Sequence, residues 1–264
     1  GTVRMDTDHL IRTLAADNAY RARPVGFALM LALLAAAPVS LLMFFTELGV
    51  RPDVMVAIRN PFFDLKFAVT LALAISAIAV SLHLSRPEAS LRGFGWLLLA
   101  PVGILTAGIG GEMMMPQRLP MMTRLIGKNS WICMTAIPVL SLPILAGALM
   151  GLRHGAPSRP AVAGAVAGLL SAGLAATLYA SHCTDDSPLF VAIWYTLATA
   201  LVAAAAGLVK SPVTVVTSGG EELLVHFRRR GGEYGEVFLE GQAEVVYEGR
   251  TWEGSVAPGL RRRR

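Results

Sequence analysis

The sequence predicts an all-α membrane protein, in which a bundle of six transmembrane helices is followed by a small, β-rich soluble tail. Of the 264 residues, 54% are hydrophobic and only 16% are charged, whereas about a quarter of the residues in a soluble domain are charged. The apolar residues form uninterrupted blocks of the roughly 20 residues that an α-helix needs to cross a bilayer. Short runs rich in Val, Thr, Phe and Tyr occur only after the last block, as is typical of strands.

Residues 1–24 form the first predicted segment, a cytoplasmic N-terminal region. It is polar, but Leu10, Ile11 and Leu14 lie on one face at helical spacing, which predicts a short amphipathic helix. Two interpretations remain open from periodicity alone. The helix lies on the membrane surface beside the first span, or it docks onto a cytoplasmic partner.

Residues 25–209 form the predicted transmembrane domain. Arg and Lys residues are more numerous in the loops on the N-terminal side than in the loops on the other side, which predicts that both termini are cytoplasmic in a bacterial inner membrane. Glycines at small-xxx-small spacing in the fifth span indicate close helix packing. The six predicted spans are Val25–Thr46, Leu65–Leu84, Phe94–Met115, Ser130–Gly151, Ala161–Ser181 and Leu189–Val209.

Residues 210–264 form the predicted cytoplasmic tail. Glycine pairs separate its short β-type runs, a pattern typical of antiparallel strands. About 50 residues bury too little surface to build much of a core alone. The predicted strands are Pro212–Thr217, Glu222–Phe227, Glu236–Leu239 and Ala243–Tyr247.

The two cysteines, Cys133 at the start of the fourth span and Cys183 in the fifth loop, both fall on the outer side in this topology. Thiols facing an oxidising periplasm can pair or act as a reversible switch. From the residues alone, the interpretation that both cysteines are inert, partly buried thiols is equally favoured. In the predicted topology, an impermeant reagent should reach Cys183 from outside. Neither cysteine has the spacing of a metal site, so we expect no metal or other cofactor.

Other residues give weaker indications of function. Methionines concentrate around the third loop, where gap-filling packing is a better explanation than binding of Cu(I). Glu112, near the outer end of the third span, is expected at the membrane interface. No charged pair is evident at the bilayer midplane, so a small transporter or metal-handling permease is only an alternative function. The dispersed basic residues do not indicate direct binding of nucleic acid.

Three features together resemble the bacterial negative regulators of sigma-F, which are membrane-bound anti-sigma factors. They are the stretch MDTDHLIRTLAAD from Met5 to Asp17, the six spans, and the stretch SHCTDDSPLFVAIWY from Ser181 to Tyr195. The resemblance implies a regulator rather than an enzyme, with an extracytoplasmic-function sigma factor as partner and no small-molecule substrate. Its N-terminal segment would hold that sigma factor inactive, and we assign Leu10, Ile11 and Leu14 as the contact face.

The resemblance also implies that the two outer-face cysteines, matched by Cys133 and Cys183, are needed for the response to oxidative or heavy-metal stress. The redox-switch interpretation of these thiols is therefore favoured over the inert one.

The tail is instead similar to the C-terminal end of diaminopimelate epimerase, over Ala203–Val215, Ser218–Phe227 and Gly241–Gly249. That family racemises its substrate with two cysteines, the second followed by Gly-Thr-Gly. Here the apolar stretch Trp194–Ala200 stands in that place. The resemblance implies a fusion or a misjoined reading frame, without epimerase activity.

Overall fold

The computed structural model describes residues 25–85, 94–116, 119–152, 159–208, 213–216, 222–230 and 233–240. The predicted N-terminal helix with Leu10, Ile11 and Leu14 and the predicted strand Ala243–Tyr247 lie outside these residues. Within them, six helices are long and apolar enough to cross a membrane. The described part of the chain therefore fits a multi-pass transmembrane protein.

The helices follow the predicted order. In sequence they are α1 (Val25–Glu47), α2 (Val54–Ala57), α3 (Pro61–Leu84), a 3-10 helix (Gly95–Leu99) that leads into α4 (Ala100–Met114), α5 (Met121–Ile126), α6 (Ser130–Leu152), α7 (Pro160–Ala180) and α8 (Pro188–Phe190), which continues through a π-helical segment (Val191–Tyr195) into α9 (Thr196–Leu208).

The second span begins earlier than predicted, at Pro61 rather than Leu65. The side chain of Asn60 accepts a hydrogen bond of 3.1 Å from the backbone N–H of Phe62, as an N-cap residue does. Proline at the first helical position adds a preset φ angle and loses no helical hydrogen bond. The earlier start places Lys66 within the second turn of α3.

Helix α7 occupies the centre of the bundle and packs against α3, α6 and α9. An added Cβ at Gly168 would lie 2.7 Å from Cα of Ala203, and one at Gly173 would lie 2.9 Å from the backbone nitrogen of Ala74. Only glycine allows this close approach of helix backbones. The glycines of the fifth span are therefore packing residues.

Successive spans run in opposite directions, so the loops divide between two ends of the bundle. The loop 48–60, residues 119–129 and the loop 181–187 share one end. The Arg51 N–H donates a hydrogen bond of 3.0 Å to the Ser181 carbonyl, and the Asn129 N–H donates one of 2.8 Å to the Asp185 carboxylate. We call this end the cysteine end. Helix α1 begins and helix α9 ends at the opposite, terminal end.

Three strands are described beyond α9: β1 (Val213–Val216), β2 (Glu222–Arg230) and β3 (Glu233–Glu240). They pair antiparallel in the order β1-β2-β3. Val213 is opposite Val225, and His226 is opposite Phe238, with an irregularity between His226 and Arg228.

Candidate functional site

The two cysteines lie at the cysteine end of one buried hydrophobic cluster. Cys133 is in the first turn of α6, and Cys183 follows the end of α7. Both are fully buried free thiols of the same hydrophobic cluster. The folded bundle thus shields both thiols from water, in contrast to the accessible Cys183 expected from the sequence.

Residues 181–187, which we call the cysteine loop, are anchored to α3 by Lys66. The Lys66 side chain is completely buried, and its Nζ lies 2.6 Å from Oδ1 of Asp186. The same ammonium donates a hydrogen bond of 2.8 Å to the carbonyl of Cys183. Because an unpaired buried charge is costly, these contacts hold the cysteine loop against the start of α3.

Arg51 contacts the same loop from the connection between α1 and α2. Its Nη1 donates to Oδ1 of Asp186 at 2.9 Å and to the carbonyl of Cys183 at 3.2 Å. Its Nε and Nη2 donate to the two carboxylate oxygens of Asp53 at 2.7 and 2.8 Å. This hydrogen bonding raises the pKa of Arg51 and lowers the pKa of Asp53, so both groups stay charged at neutral pH.

Asp185 links the cysteine loop to the N-terminus of α6. Its carboxylate accepts hydrogen bonds from the backbone N–H groups of Lys128 and Asn129 at 3.0 and 2.8 Å. A negative charge is favourable at this end of a helix, where the backbone dipoles present positive partial charge. Gly127, with a φ of +64°, makes the turn that presents these N–H groups.

Asn129 joins the two chain segments that carry the cysteines. Its carbonyl accepts hydrogen bonds from the N–H of Cys133 at 2.8 Å and from the hydroxyl of Tyr179 at 3.3 Å. Its side-chain amide donates to Oγ1 of Thr184 at 2.9 Å. A movement of the cysteine loop therefore acts directly on the first turn of α6.

The environment of Cys183 favours its neutral form. Burial raises the pKa of the thiol, and the positive charge of Lys66 acts in the opposite direction. Sγ of Cys183 lies 3.8 Å from the carbonyl oxygen of Asp185. Because the thiolate is the form that reacts, the buried, neutral thiol of Cys183 is protected from reaction.

Glu112 is buried, contrary to the interfacial position expected from the sequence. One of its carboxylate oxygens lies 3.1 Å from Nη1 of Arg124 in α5. The indole N–H of Trp194 donates to the carbonyl of Leu125 at 3.0 Å. These two contacts tie α5 to α4 and to the π-helical segment.

Metal ligands are not grouped in the described ranges, where no set of three or more His, Cys, Asp or Glu side chains is arranged to hold an ion. Several methionines of the third loop, namely Met113, Met114, Met121 and Met122, have half or more of their surface exposed.

Residues 14–214 match the model of the family described as NrsF, negative regulator of sigma F. The chain belongs to this family. It is 38% identical over 198 residues to the anti-sigma-F factor NrsF of Caulobacter vibrioides. The aligned region covers 73% of this chain and 91% of that protein. It is 31% identical over 205 residues to the probable anti-sigma-F factor NrsF of Azospira oryzae, with 77% and 96% covered. No solved structure matches the chain.

The NrsF family is regulatory rather than catalytic, and its match ends at residue 214. Strands β2 and β3 of the tail therefore lie beyond the matched region. The resemblance of the tail to diaminopimelate epimerase stays a prediction.

The sequence singled out the two thiols of this NrsF-family chain as candidates, but not the charged side chains around Cys183. Lys66 could have been recognised from the sequence, since an ionisable residue inside a predicted span indicates a functional position. The adjacent pair Asp185 and Asp186 next to Cys183 was a second signal. Arg51 could not have been recognised in this way, because arginine is common in loops that flank transmembrane helices.

Proposed function

We propose that the chain is a membrane-bound anti-sigma factor that sequesters an extracytoplasmic-function sigma factor and releases it on oxidative or heavy-metal stress. Family membership supports the anti-sigma role. The observation that best supports the sensing role is the burial of Cys133 and Cys183 together at one end of the bundle, beneath a loop tied to α3 and α6. In this proposal Cys133 and Cys183 are the redox switch.

We infer that the cysteine end faces the outside of the bacterial inner membrane and that both termini face the cytoplasm. The excess of basic residues in the loops on the N-terminal side supports this orientation. The sensor and the sigma-binding segment then lie on opposite sides of the bilayer. Helix α6 carries Cys133, helix α7 ends shortly before Cys183, and both helices connect the two sides.

Oxidation would join the two sulfurs. The two thiols lose two protons and two electrons to an oxidant such as a peroxide, which leaves as two water molecules, and one S–S bond forms. A disulfide needs Cα atoms about 4.4 to 6.8 Å apart, so the cysteine loop has to adjust toward α6. Soft metal ions would act on the same pair by binding both sulfurs and displacing their protons.

The signal then depends on two arrangements of the bundle with different affinities for the sigma factor. Bond formation would displace Thr184 and Asp185 from Asn129 and thereby shift the first turn of α6. Because protein interiors are close-packed, such a shift is transmitted along α6 and α7 to the terminal end.

The partner-binding segment is tested with the full-length chain. We predict that Leu10→Asp with Leu14→Asp abolishes co-purification of the sigma factor, because the charges cannot be buried in the complex. The matched control is Thr13→Asp with Ala16→Asp, which adds the same charges on the other side of the predicted helix and is expected to retain the partner. Retention by the Leu10 and Leu14 variant would indicate a membrane-surface helix instead.

For residues 210–264 we propose a small β-rich cytoplasmic tail without epimerase chemistry. The antiparallel pairing of β1, β2 and β3 supports a β-type unit. Racemisation needs two thiols on opposite faces of one substrate carbon, and this chain has no cysteine beyond Cys183. Turnover of diaminopimelate by the purified chain would contradict this assignment.

A further inference from the structure

A groove runs along the side of the bundle between α4 and α9. Helix α4 packs mainly on α3, and α9 packs mainly on α7, which leaves space between the facing sides of α4 and α9. The space measures about 230 Å³, and we call it the lateral groove. Residues of all four helices line it. They include Leu73 of α3, Val102 and Leu105 of α4, Leu169 of α7, and Thr196 and Ala200 of α9.

The lateral groove lies at mid-depth in the bundle. Leu73, Leu105, Leu169 and Ala200 are each close to the midpoint of the span that carries them. The hydrocarbon core of a bilayer contains no water, so water does not fill a groove at this depth. An empty groove would leave its lining atoms without contacts on one side. The groove therefore takes an occupant from the membrane.

The lateral groove opens toward the lipid. Val102 on its α4 side is 53% exposed, and Thr196 and Ala200 on its α9 side are exposed as well. In the middle of a transmembrane span, an exposed side chain faces the hydrocarbon of the bilayer. The groove is thus continuous with the lipid-facing surface of the spans, and a lipid chain enters it from the side.

The polar groups of the lining are turned away from an occupant. The Thr70 hydroxyl donates to the carbonyl of Lys66 at 2.9 Å, and the Thr199 hydroxyl donates to the carbonyl of Thr196 at 3.1 Å. The hydroxyl of Tyr195 is buried within the protein, so this side chain presents only carbon atoms to the groove. Such a surface favours a hydrocarbon over a ligand whose polar groups would have to give up their hydrogen bonds.

We propose that the lateral groove binds one acyl chain of a membrane phospholipid, which packs between α4 and α9 and links the two helices. A dry apolar cavity of about 150 Å³ already binds a molecule of benzene, so the groove has room for a segment of an acyl chain. Filling it restores the close packing that a protein interior requires. The inference goes beyond the proposed function and does not depend on it.

Binding of the chain is tested with the full-length protein in detergent, titrated with phosphatidylcholine that carries bromine atoms in its acyl chains. Bromine quenches the fluorescence of a tryptophan that it contacts. Val102→Trp places the reporter at the groove, and Leu34→Trp is the matched control, because Leu34 is 63% exposed near the middle of α1. The emission of the parent protein is subtracted from both.

We expect the Val102→Trp reporter to be quenched when lipid is close to equimolar with protein. The Leu34→Trp reporter should be quenched only when lipid has replaced most of the detergent, since its position offers no groove. Identical titrations for the two reporters would overturn the proposal.

A second comparison needs no added tryptophan. Ala200→Phe fills the lateral groove with a ring, whereas Ala205→Phe adds the same ring at an exposed position of α9 outside the lining. A bound ligand stabilises the folded state, so we expect long-chain phosphatidylcholine to raise the Tm of the parent in detergent by about 2 °C or more. Ala205→Phe should keep this rise, and Ala200→Phe should lose most of it.

An equal rise in the parent and both variants would show that lipid stabilises the protein without occupying the groove, and it would overturn the proposal. The proposal would also fail if Ala200→Phe converted a dimer of the parent into a monomer in size-exclusion chromatography, because a second copy of the chain would then be the occupant.

Discussion

Nζ of Lys66 lies 2.6 Å from Oδ1 of Asp186, and the pair joins the second turn of α3 to the loop that carries Cys183. The lysine side chain is completely buried and that of Asp186 is 16% exposed. Removing Asp186 leaves the buried ammonium of Lys66 without its carboxylate, which costs about 3 to 5 kcal/mol, whereas removing Lys66 leaves Asp186 paired with Arg51. This contact is therefore both the anchor of the cysteine loop and its most sensitive point.

We predict that Asp186→Asn lowers the free energy of unfolding by about 3 kcal/mol or more, measured by denaturant unfolding in detergent. Lys66→Met should lower it by less, because Asp186 stays paired with Arg51. Lys66→Met with Asp186→Asn should cost less than the two single changes added together, because no charge is then left unpaired. The control is Lys128→Met, which removes an exposed lysine at the same end of the bundle. Equal losses for Lys66→Met and Lys128→Met would contradict the anchoring role.

Gly127 provides a test of the turn before α6. Its φ is +64°, and an added Cβ would contact the ring of Phe190 and lie 2.9 Å from Cγ of Asp185. Gly127→Ala should therefore destabilise the bundle by about 1 to 3 kcal/mol through strain and overpacking. Gly49→Ala is the matched control, since Gly49 has a φ of +70° but no neighbour within 4 Å of an added Cβ. If both changes cost the same, backbone strain alone explains the result and the contact with Asp185 is unimportant.

Helix packing at the centre of the bundle is tested at Gly168. Gly168→Ala should destabilise the protein by about 1 to 3 kcal/mol, because the new methyl group meets the backbone of α9. Gly110→Ala, at an open position of α4, should be neutral or stabilising by up to about 1 kcal/mol, since alanine is the better helix former. Thermal unfolding in one detergent compares the two, and a stabilising Gly168→Ala would refute the close packing of α7 on α9.

The raised pKa of Cys183 predicts a loss of stability in alkali. A thiol whose pKa is higher in the folded state contributes stability that is present below the unfolded pKa of about 8.5 and is lost as the pH rises through the folded value. In a Cys133→Ser background, the parent should lose stability above about pH 8.5 faster than its Cys183→Ser derivative, which cannot ionise. Parallel stability curves for the two proteins would show that burial does not perturb this thiol.

The six spans were predictable because the bilayer imposes a length and an apolar composition that are visible in each segment by itself. The start of α3 was missed, although Asn60 followed by Pro61 is a local helix-start signal. The charged cluster was not predictable in detail. Lys66 and Asp186 are separated by three spans, and hydropathy gives no information on which distant polar groups pair.

The burial of Cys183 was also beyond sequence reasoning. The neighbouring Thr184, Asp185 and Asp186 are polar, which is typical of an exposed loop. In the structure their polar groups bond to Asn129, Arg51 and Lys66 within the protein. A loop whose polar groups are satisfied internally can bury an apolar residue such as Cys183 next to them, but only the tertiary contacts show this.

We propose that Cys133 and Cys183 control the affinity of the chain for its sigma factor. This proposal is tested most directly by measuring the sigma factor bound to membrane vesicles that contain the full-length protein, before and after treatment with peroxide. The parent protein is predicted to release the sigma factor, and the variant with Cys133→Ser and Cys183→Ser is predicted to retain it. Equal release from both proteins, with equal binding before treatment, would contradict the account and leave the two cysteines a structural role only.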